Sequence, residues 1–173
     1  MRKDFLELVE YSVKQNMGVI INTNGWFIDA NMAQLLKQLG VFHVRVSIDG
    51  ATAKTHDAIR GVAGSFHRAI DAVKHLKNAE IPFVGISPTI MQENVLETGA
   101  LIDLASYLGV SEIQLVQMAD SGRANEKSLI TADHVLMLRE VVKEKKSLYP
   151  QMKISASETV SDDKPFKKNV QAG

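Results

Sequence analysis

The strongest constraint on the fold is a repeating order of amphipathic helix, glycine and short apolar strand. Helices between consecutive strands require crossover connections, and such connections place neighbouring strands parallel. The predicted helices cover about residues 4–15, 29–39, 65–79, 95–108 and the stretch from 131, with a short polar helix around 55–60. The predicted strands lie near residues 19–21, 42–48, 81–89, 112–118 and 152–156. We therefore predict an α/β fold with a parallel sheet.

Alternate residues of the central strands differ in polarity, and such residues point to opposite faces of a sheet. One face carries Val44, Val46, Ile48, Val84, Ile86, Ile113 and Leu115. The other carries His43, Arg45, Ser47, Asp49, Gly85, Ser87, Thr89, Gln114 and Met118. Strands covered on both faces would be apolar throughout, so we predict a partial, TIM-like (β/α) barrel whose polar face lines a cavity. An antiparallel α+β sheet with one solvated face is the alternative.

Composition bounds the partners of this chain. Its 20 Lys and Arg residues balance 20 Asp and Glu residues, so we expect no nucleic-acid partner. The apolar runs are too short for a membrane span and the start is no signal peptide, which predicts a cytoplasmic protein. With no cysteine, the chain itself forms no disulfide and holds no thiolate-bound metal or cluster.

Length bounds the architecture. A closed (β/α)8 barrel takes about 250 residues, whereas these 173 residues hold five predicted strands. The barrel should therefore be incomplete, and its first strand should have an open edge. An open edge invites pairing with another chain, so we expect either dimerisation through this strand or a missing preceding segment.

Candidate site residues cluster between Val46 and Phe66. Ser47 and Asp49 end the second predicted strand, and Arg60 lies on a loop framed by Gly61 and Gly64. Parallel β/α sheets bind ligands at the carboxyl ends of their strands. The alternative is that Ser47 and Asp49 cap the next helix and that Arg60 is solvated. Ser65 is expected to cap the helix that follows.

Four motifs occur here in the order found in a known enzyme family. They are Asn22-Thr23-Asn24-Gly25, Val46-Ser47-Ile48-Asp49-Gly50, His56-Asp57 with Ile59-Arg60-Gly61, and Gly64-Ser65-Phe66. Together with the run Gln117 to Ala124, they closely resemble the radical S-adenosylmethionine (AdoMet) enzymes over about residues 2–160. The most similar subgroup has a C-terminal SPASM or twitch domain with extra iron–sulfur clusters, and includes peptide and sulfatase maturases.

The resemblance implies a parent reaction and a set of binding residues. In the intact family, AdoMet on a [4Fe–4S] cluster is reductively cleaved to a 5′-deoxyadenosyl radical, which abstracts hydrogen from a peptide or protein substrate. The implied AdoMet-binding residues are Thr23, Asn24, Ser47, Asp49, Arg60, Thr89 and Met118. Arg60 would bind the AdoMet carboxylate, Ser47 would lie near its ribose or methionine end, and Met118 near adenine. Asp49 is expected to brace the turn at Gly50 or a neighbouring hydroxyl, and we assign no catalytic residue.

Departures from the family pattern limit that prediction. The Cys-x3-Cys-x2-Cys loop and the Gly-Gly-Glu-Pro motif of the family do not occur here. The chain is therefore expected to correspond to the middle of a larger enzyme, without its first two βα units. Residues 1–156 would form the partial barrel and residues 157–173 a polar connector toward an auxiliary-cluster domain. The chain alone is expected to be inactive and to bind neither AdoMet nor a cluster stably.

Two other functions remain open. The chain could be a noncatalytic binding module on the same scaffold, or an unrelated TIM-like enzyme that acts on a phosphorylated substrate. No Gly-rich phosphate loop precedes a helix in the manner the latter requires. His67, Asp71 and His75 share a helix face that could bind zinc, but we assign them to the solvated side of an amphipathic helix.

Overall fold

The computed structural model describes residues 2–118 and 128–156. Within these residues the helices are α1 (Phe5–Lys14), α2 (Ala30–Gln38), α3 (Ala53–Arg60), α4 (Ser65–Asn78), α5 (Thr98–Tyr107) and α6 (Ala132–Leu148). The strands are β1 (Ile20–Thr23), β2 (His43–Val46), β3 (Phe83–Ile86), β4 (Thr89–Ile90), β5 (Glu112–Gln117) and β6 (Lys153–Ala156). A 3-10 turn, Val95–Glu97, leads into α5.

Local capping fixes several helix ends where the sequence predicts them. The Asp29 side chain accepts a hydrogen bond from the Met32 N–H at 2.8 Å and starts α2. Gly40 follows the end of α2 with a φ of +80°, a conformation that favours glycine. Thr131 and His134 form a reciprocal capping box at the start of α6.

All strand pairings in the described residues are parallel. β1, β2 and β3 follow one another across the sheet, β3 and β4 pair with successive stretches of β5, and β6 pairs with the other edge of β5. The predicted α/β parallel sheet is confirmed, and the antiparallel alternative is wrong. The predicted strand over 81–89 is divided into β3 and β4, because Pro88 has no N–H to donate to a ladder.

The two faces of the sheet differ as the sequence predicts. Val44, Val46, Ile86 and Ile113 are completely buried and pack in one core with apolar residues of α2, α4 and α5. Side chains at the alternate positions lie on the opposite face, which we call the lumen. Helices that cover one face leave the lumen for polar groups, as in a partial TIM-like barrel.

β1 lies at the end of the strand order and pairs only with β2 among the residues the structure describes. A groove of about 290 Å³ runs between α1 and β1, and Leu8 and Ile20 on its walls are about half exposed. The predicted open edge is therefore present in this part of the chain.

Across residues 2–118 and 128–156, no helix is both long enough and apolar enough to cross a membrane.

Candidate functional site

The carboxyl ends of the strands bring hydroxyl groups side by side. The Ser47 N–H donates to the Thr23 carbonyl at 2.8 Å, and the Ser87 N–H donates to the Val46 carbonyl at 3.0 Å. Both serine side chains are half-buried on the lumen side. Neither hydroxyl hydrogen-bonds to another residue that the structure describes. We call this end of the sheet, at Ser47 and Ser87, the rim.

Asp49 joins three elements at the same rim. Its side chain is 2% exposed. One carboxylate oxygen, Oδ1, accepts the Thr89 N–H at 2.8 Å, and the other, Oδ2, lies 2.6 Å from Arg60 Nη2. The carboxylate therefore holds the guanidinium of Arg60 beside the end of β2. It braces Arg60 and the Thr89 N–H, not the turn at Gly50 or a hydroxyl as the sequence predicted.

Two further buried side chains fix the backbone of Asp49. His56 Nδ1 accepts the Asp49 N–H at 3.0 Å, which leaves the proton of the neutral imidazole on Nε2. Asn94 Nδ2 donates to the carbonyls of Asp49 and Thr89 at 2.7 and 2.8 Å. We call the set Asp49, His56, Arg60, Thr89 and Asn94 the Asp49 hub. Because it ties β2, α3 and β4 together, it sets the position of Arg60.

The start of α3 is fixed by other residues. Thr52 caps this helix by accepting the Thr55 N–H at 3.4 Å. The Glu97 carboxylate accepts the Ala51 N–H at 3.0 Å and the Thr55 hydroxyl proton. The alternative that Ser47 and Asp49 merely cap this helix is therefore wrong.

The loop after Arg60 is organised by Asp57. Its carboxylate accepts hydrogen bonds from the Gly64 N–H, the Ser65 hydroxyl and the Phe66 N–H at 2.7 to 2.8 Å. The bond from the Phe66 N–H is the main cause that lowers the pKa of Asp57. Asp57 thus satisfies the free amides at the start of α4, and the prediction that Ser65 caps this helix is wrong. Asp57 lies seven to nine residues before the groups that it caps, which is too far for a capping pattern in the local sequence to predict it.

Burial lowers the pKa of His56 below its usual 6.5, although Asp49 opposes the shift. Well above pH 6.5 the imidazole is neutral in both folded and unfolded chains. As the pH falls through this value, the unfolded chain takes up a proton that the folded chain resists, so stability should fall by at most about 1.4 kcal/mol per pH unit. Denaturant titrations between pH 7.5 and about 5.5 measure this loss.

Two variants identify the titrating group. His56→Gln should flatten the pH dependence in that range, whereas His67→Gln, at an exposed position of α4, should keep it. An unchanged dependence in His56→Gln would assign the loss to other groups.

The structure brings four of the seven predicted site residues together. Ser47 and Asp49 follow the end of β2, and both Arg60 and the Thr89 N–H contact the Asp49 carboxylate. Thr23 and Asn24 end β1 nearby, but their side chains accept the N–H groups of Gly25 and Trp26, both at 3.1 Å, within a turn. Their predicted contact with AdoMet therefore stays a prediction.

Met118 lies at the end of β5, where its N–H donates to the Ile90 carbonyl at 3.0 Å. Its side chain lines a cavity of about 520 Å³, together with Ala58, Ile59 and Met91. Flexible methionine side chains adapt to flat apolar surfaces. The predicted motif continues beyond Met118, but Ala119 to Ala124 lie outside the described residues, as does the predicted connector over 157–173.

Sequence reasoning missed His56, Asn94 and Glu97 as parts of the site. Asn94 and Glu97 act across more than 40 residues of sequence, on Asp49, Ala51 and Thr55. The available signal was a polar run, Gln92 to Asn94, directly after an apolar strand.

A sequence profile described as the radical SAM superfamily matches residues 1–105. The chain is 32% identical over 149 residues to an AdoMet-dependent heme synthase of Methanosarcina barkeri. It is 37% identical over 126 residues to the mycofactocin maturase MftC of Mycobacterium tuberculosis. These alignments cover 84% and 73% of this chain, but only 42% and 32% of the two relatives. The chain thus spans well under half the length of either.

Solved structures show the same fold at low sequence identity. SuiB of Streptococcus suis bound to S-adenosylmethionine matches with a TM-score of 0.75 and 12% identity, over 95% of this chain and 40% of SuiB. The enzyme anSMEcpe with bound AdoMet matches with a TM-score of 0.69 and 16% identity, over 90% of this chain and 44% of that one. Both comparisons confirm the predicted partial-barrel fold.

Proposed function

The chain belongs to the radical SAM superfamily, and from this membership we propose that it supplies the AdoMet-binding rim of a radical AdoMet enzyme. The superfamily uses AdoMet together with a [4Fe–4S] cluster, which when bound supply the reductive cleavage of AdoMet and hydrogen abstraction from substrate. The observation that carries the proposal is the Asp49–Arg60 pair at the strand ends, with Ser47 two residues before Asp49 on the same face of the sheet.

The residues at the rim suit the chemistry of AdoMet. Arg60 offers a permanently charged planar group for the methionine carboxylate, and Asp49 holds it in place before the ligand arrives. Ser47 and Ser87 offer hydroxyls to the polar parts of the ligand, and the cavity beside Met118 offers an apolar wall for adenine. Thr23, Asn24 and Thr89 contribute backbone and side-chain groups at the same ends of the strands.

The residues do not suit the cluster. Four-iron clusters are held by cysteine thiolates, and the sequence contains none. Residues 2–118 and 128–156 also hold no group of three or more His, Cys, Asp or Glu side chains placed for a metal ion. We propose that the thiolates come from polypeptide beyond these 173 residues, and that the chain by itself is inactive.

Reconstitution tests this part of the proposal. Incubated with iron and sulfide under anoxic conditions, the purified chain should develop no visible charge-transfer absorbance of a four-iron cluster, because it has no thiolate to bind one. Mycofactocin maturase treated in parallel is the positive control. A stable cluster spectrum from this chain would contradict the proposal.

A peptide is the proposed substrate of the whole enzyme. The support is the 37% identity to a mycofactocin maturase, together with the shared fold of SuiB, which has been solved with its precursor peptide SuiA. A tetrapyrrole is the second candidate, since the chain is also 32% and 35% identical to an AdoMet-dependent heme synthase and an Fe-coproporphyrin III synthase.

A chimera tests the proposed function directly. The segment of the M. tuberculosis maturase that aligns with this chain would be replaced by this chain, which leaves the cysteines of the maturase in place. After reconstitution and reduction, the chimera should cleave AdoMet to 5′-deoxyadenosine and methionine. A folded, cluster-loaded chimera that forms neither product would contradict the proposal, and an equivalent heme-synthase chimera would compare the two substrate classes.

The open edge of β1 and the groove beside it support a further part of the proposal. We propose that residues 1–156 complete a barrel by pairing β1 with a strand of the cluster-bearing segment, and that residues 157–173 lead toward an auxiliary domain. A second copy of the chain is the other candidate for this edge, and sedimentation of the isolated chain distinguishes a dimer from a monomer.

A further inference from the structure

A charged layer crosses the lumen below the rim. In the sheet register, Asn22 lies beside Arg45, Arg45 beside Gly85, Gly85 beside Glu112, and Glu112 beside Lys153. Each alternates with residues buried under the helices, so all five positions belong to the lumen face. This layer is not part of the Asp49 hub, and the AdoMet-binding rim leaves its function unassigned.

Glu112 anchors Arg45 by one nitrogen only. The Glu112 side chain is 6% exposed, and its Oε1 pairs with Arg45 Nε. His43 Nε2 lies 2.8 Å from the same oxygen. A guanidinium has five N–H donors. Within residues 2–118 and 128–156, the Nη groups of Arg45 have no hydrogen-bond partner. The planar fork is therefore held in place, and its outer donors contact no hydrogen-bond acceptor in the described part of the chain.

Gly85 makes this arrangement possible. A Cβ atom at Gly85 would lie 2.8 Å from Glu112 Cγ, so any side chain there would push the carboxylate away. Without one, Glu112 extends across the intervening strand to Arg45. The absence of a side chain at Gly85 therefore allows the Glu112 carboxylate to hold the Arg45 guanidinium.

Arg45 and Glu112 form the buried charged pair of this layer. Lys153 lies at its solvated end, where its side chain is 72% exposed and its Nζ is 3.9 Å from Glu112 Oε2. The Arg45 side chain is only 17% exposed, which strengthens its attraction for an anion relative to a solvated arginine.

We propose that Arg45 binds a carboxylate of the substrate inside the lumen. The planar fork matches the two oxygens of a carboxylate. Arg45 precedes Ser47 by two strand positions, so its Cα lies about 7 Å below that of Ser47. A substrate held there would lie in the lumen, below the rim at which AdoMet would bind. The inference deepens the proposed function by naming an acidic substrate for the same barrel.

The test uses the full 173-residue chain without AdoMet. The arginine Nε–Hε signals would be followed by NMR during titration with acetyl-Gly-Glu-Gly-amide and with the isosteric acetyl-Gly-Gln-Gly-amide. The glutamate peptide should shift the Arg45 signal saturably, and the glutamine peptide should bind at least about tenfold more weakly. Equal affinities of the two peptides, or no saturable shift at Arg45, would overturn the proposal.

Variants distinguish binding by the Arg45 guanidinium from nonspecific attraction to positive charge. Arg45→Gln with Glu112→Gln removes both charges without leaving either buried alone, and should lose the binding while the circular dichroism spectrum is kept. Arg45→Lys should weaken it several-fold, and Arg68→Gln, on the outer surface, should leave it unchanged. Retained binding in the double variant would overturn the proposal, as would inorganic phosphate binding where the glutamate peptide does not. AdoMet cleavage by the chimera is independent of these outcomes, so failure of either proposal can be distinguished.

Discussion

Replacing Gly50 with alanine is expected to destabilise the chain by about 3 kcal/mol, near the upper end for overpacked positions. A Cβ at Gly50 would lie 2.5 Å from the backbone nitrogen of His56 and 2.8 Å from Thr55 Cβ. These atoms belong to α3, whose start is held by Thr52 and Glu97 and whose His56 is buried against Asp49. The helix can therefore move only by breaking the Asp49 hub.

Guanidinium denaturation of the unsubstituted chain and of Gly50→Ala measures this loss of stability. Gly99→Ala is the matched control, because a Cβ there meets only side-chain atoms at 3.7 Å and alanine is a better helix former than glycine. If Gly50→Ala were as stable as Gly99→Ala, the close approach of Gly50 to the start of α3 would be wrong. The same variant should also weaken AdoMet binding by the chimera, since Arg60 lies at the end of α3.

Arg60→Ala is expected to weaken AdoMet binding by the chimera by about 1.5–3 kcal/mol, the range for a hydrogen bond to a charged group. This corresponds to roughly a 10- to 150-fold rise in the dissociation constant. The physical reason is the loss of the guanidinium that meets the methionine carboxylate. Equilibrium dialysis with labelled AdoMet measures the affinity without turnover.

Two further variants define how Arg60 acts. Asp49→Asn keeps an acceptor for the Thr89 N–H but loses the charge that holds Arg60, so affinity should fall less than in Arg60→Ala. If the two groups act as a unit, the double variant should bind no worse than Arg60→Ala alone. Arg68→Ala, whose guanidinium lies 5.1 Å from the Trp26 ring on the outer surface, should bind normally. An unchanged affinity in Arg60→Ala would remove this residue from the site.

Local patterns were sufficient to predict the parallel sheet, because the alternation of helix and strand admits few connections. They also predicted the glycine end of α2 and the start of α6, where the capping residues are sequence neighbours. The polarity of alternate strand residues predicted the lumen. Each of these features depends on residues within one element or its immediate flanks.

The interior of the site could not be predicted in the same way. Asn94 and Glu97 bond to groups more than 40 residues earlier, and Asp57 caps a helix beyond an intervening loop. Glu112 begins a predicted strand, but its pairing with Arg45 depends on the register of β2, β3 and β5, which the sequence alone does not predict. Arg60 was predicted as a site residue from its glycine-framed loop, but its pairing with Asp49 depends on how α3 packs against the end of β2.

The position of AdoMet in a crystal structure of the cluster-loaded chimera tests the central claim most directly. The account predicts that the methionine carboxylate lies within about 3 Å of the Arg60 guanidinium, with Ser47 on the same side and Asp49 still paired to Arg60. AdoMet bound elsewhere, or an Arg60 side chain directed away from Ser47 and the ligand, would contradict it.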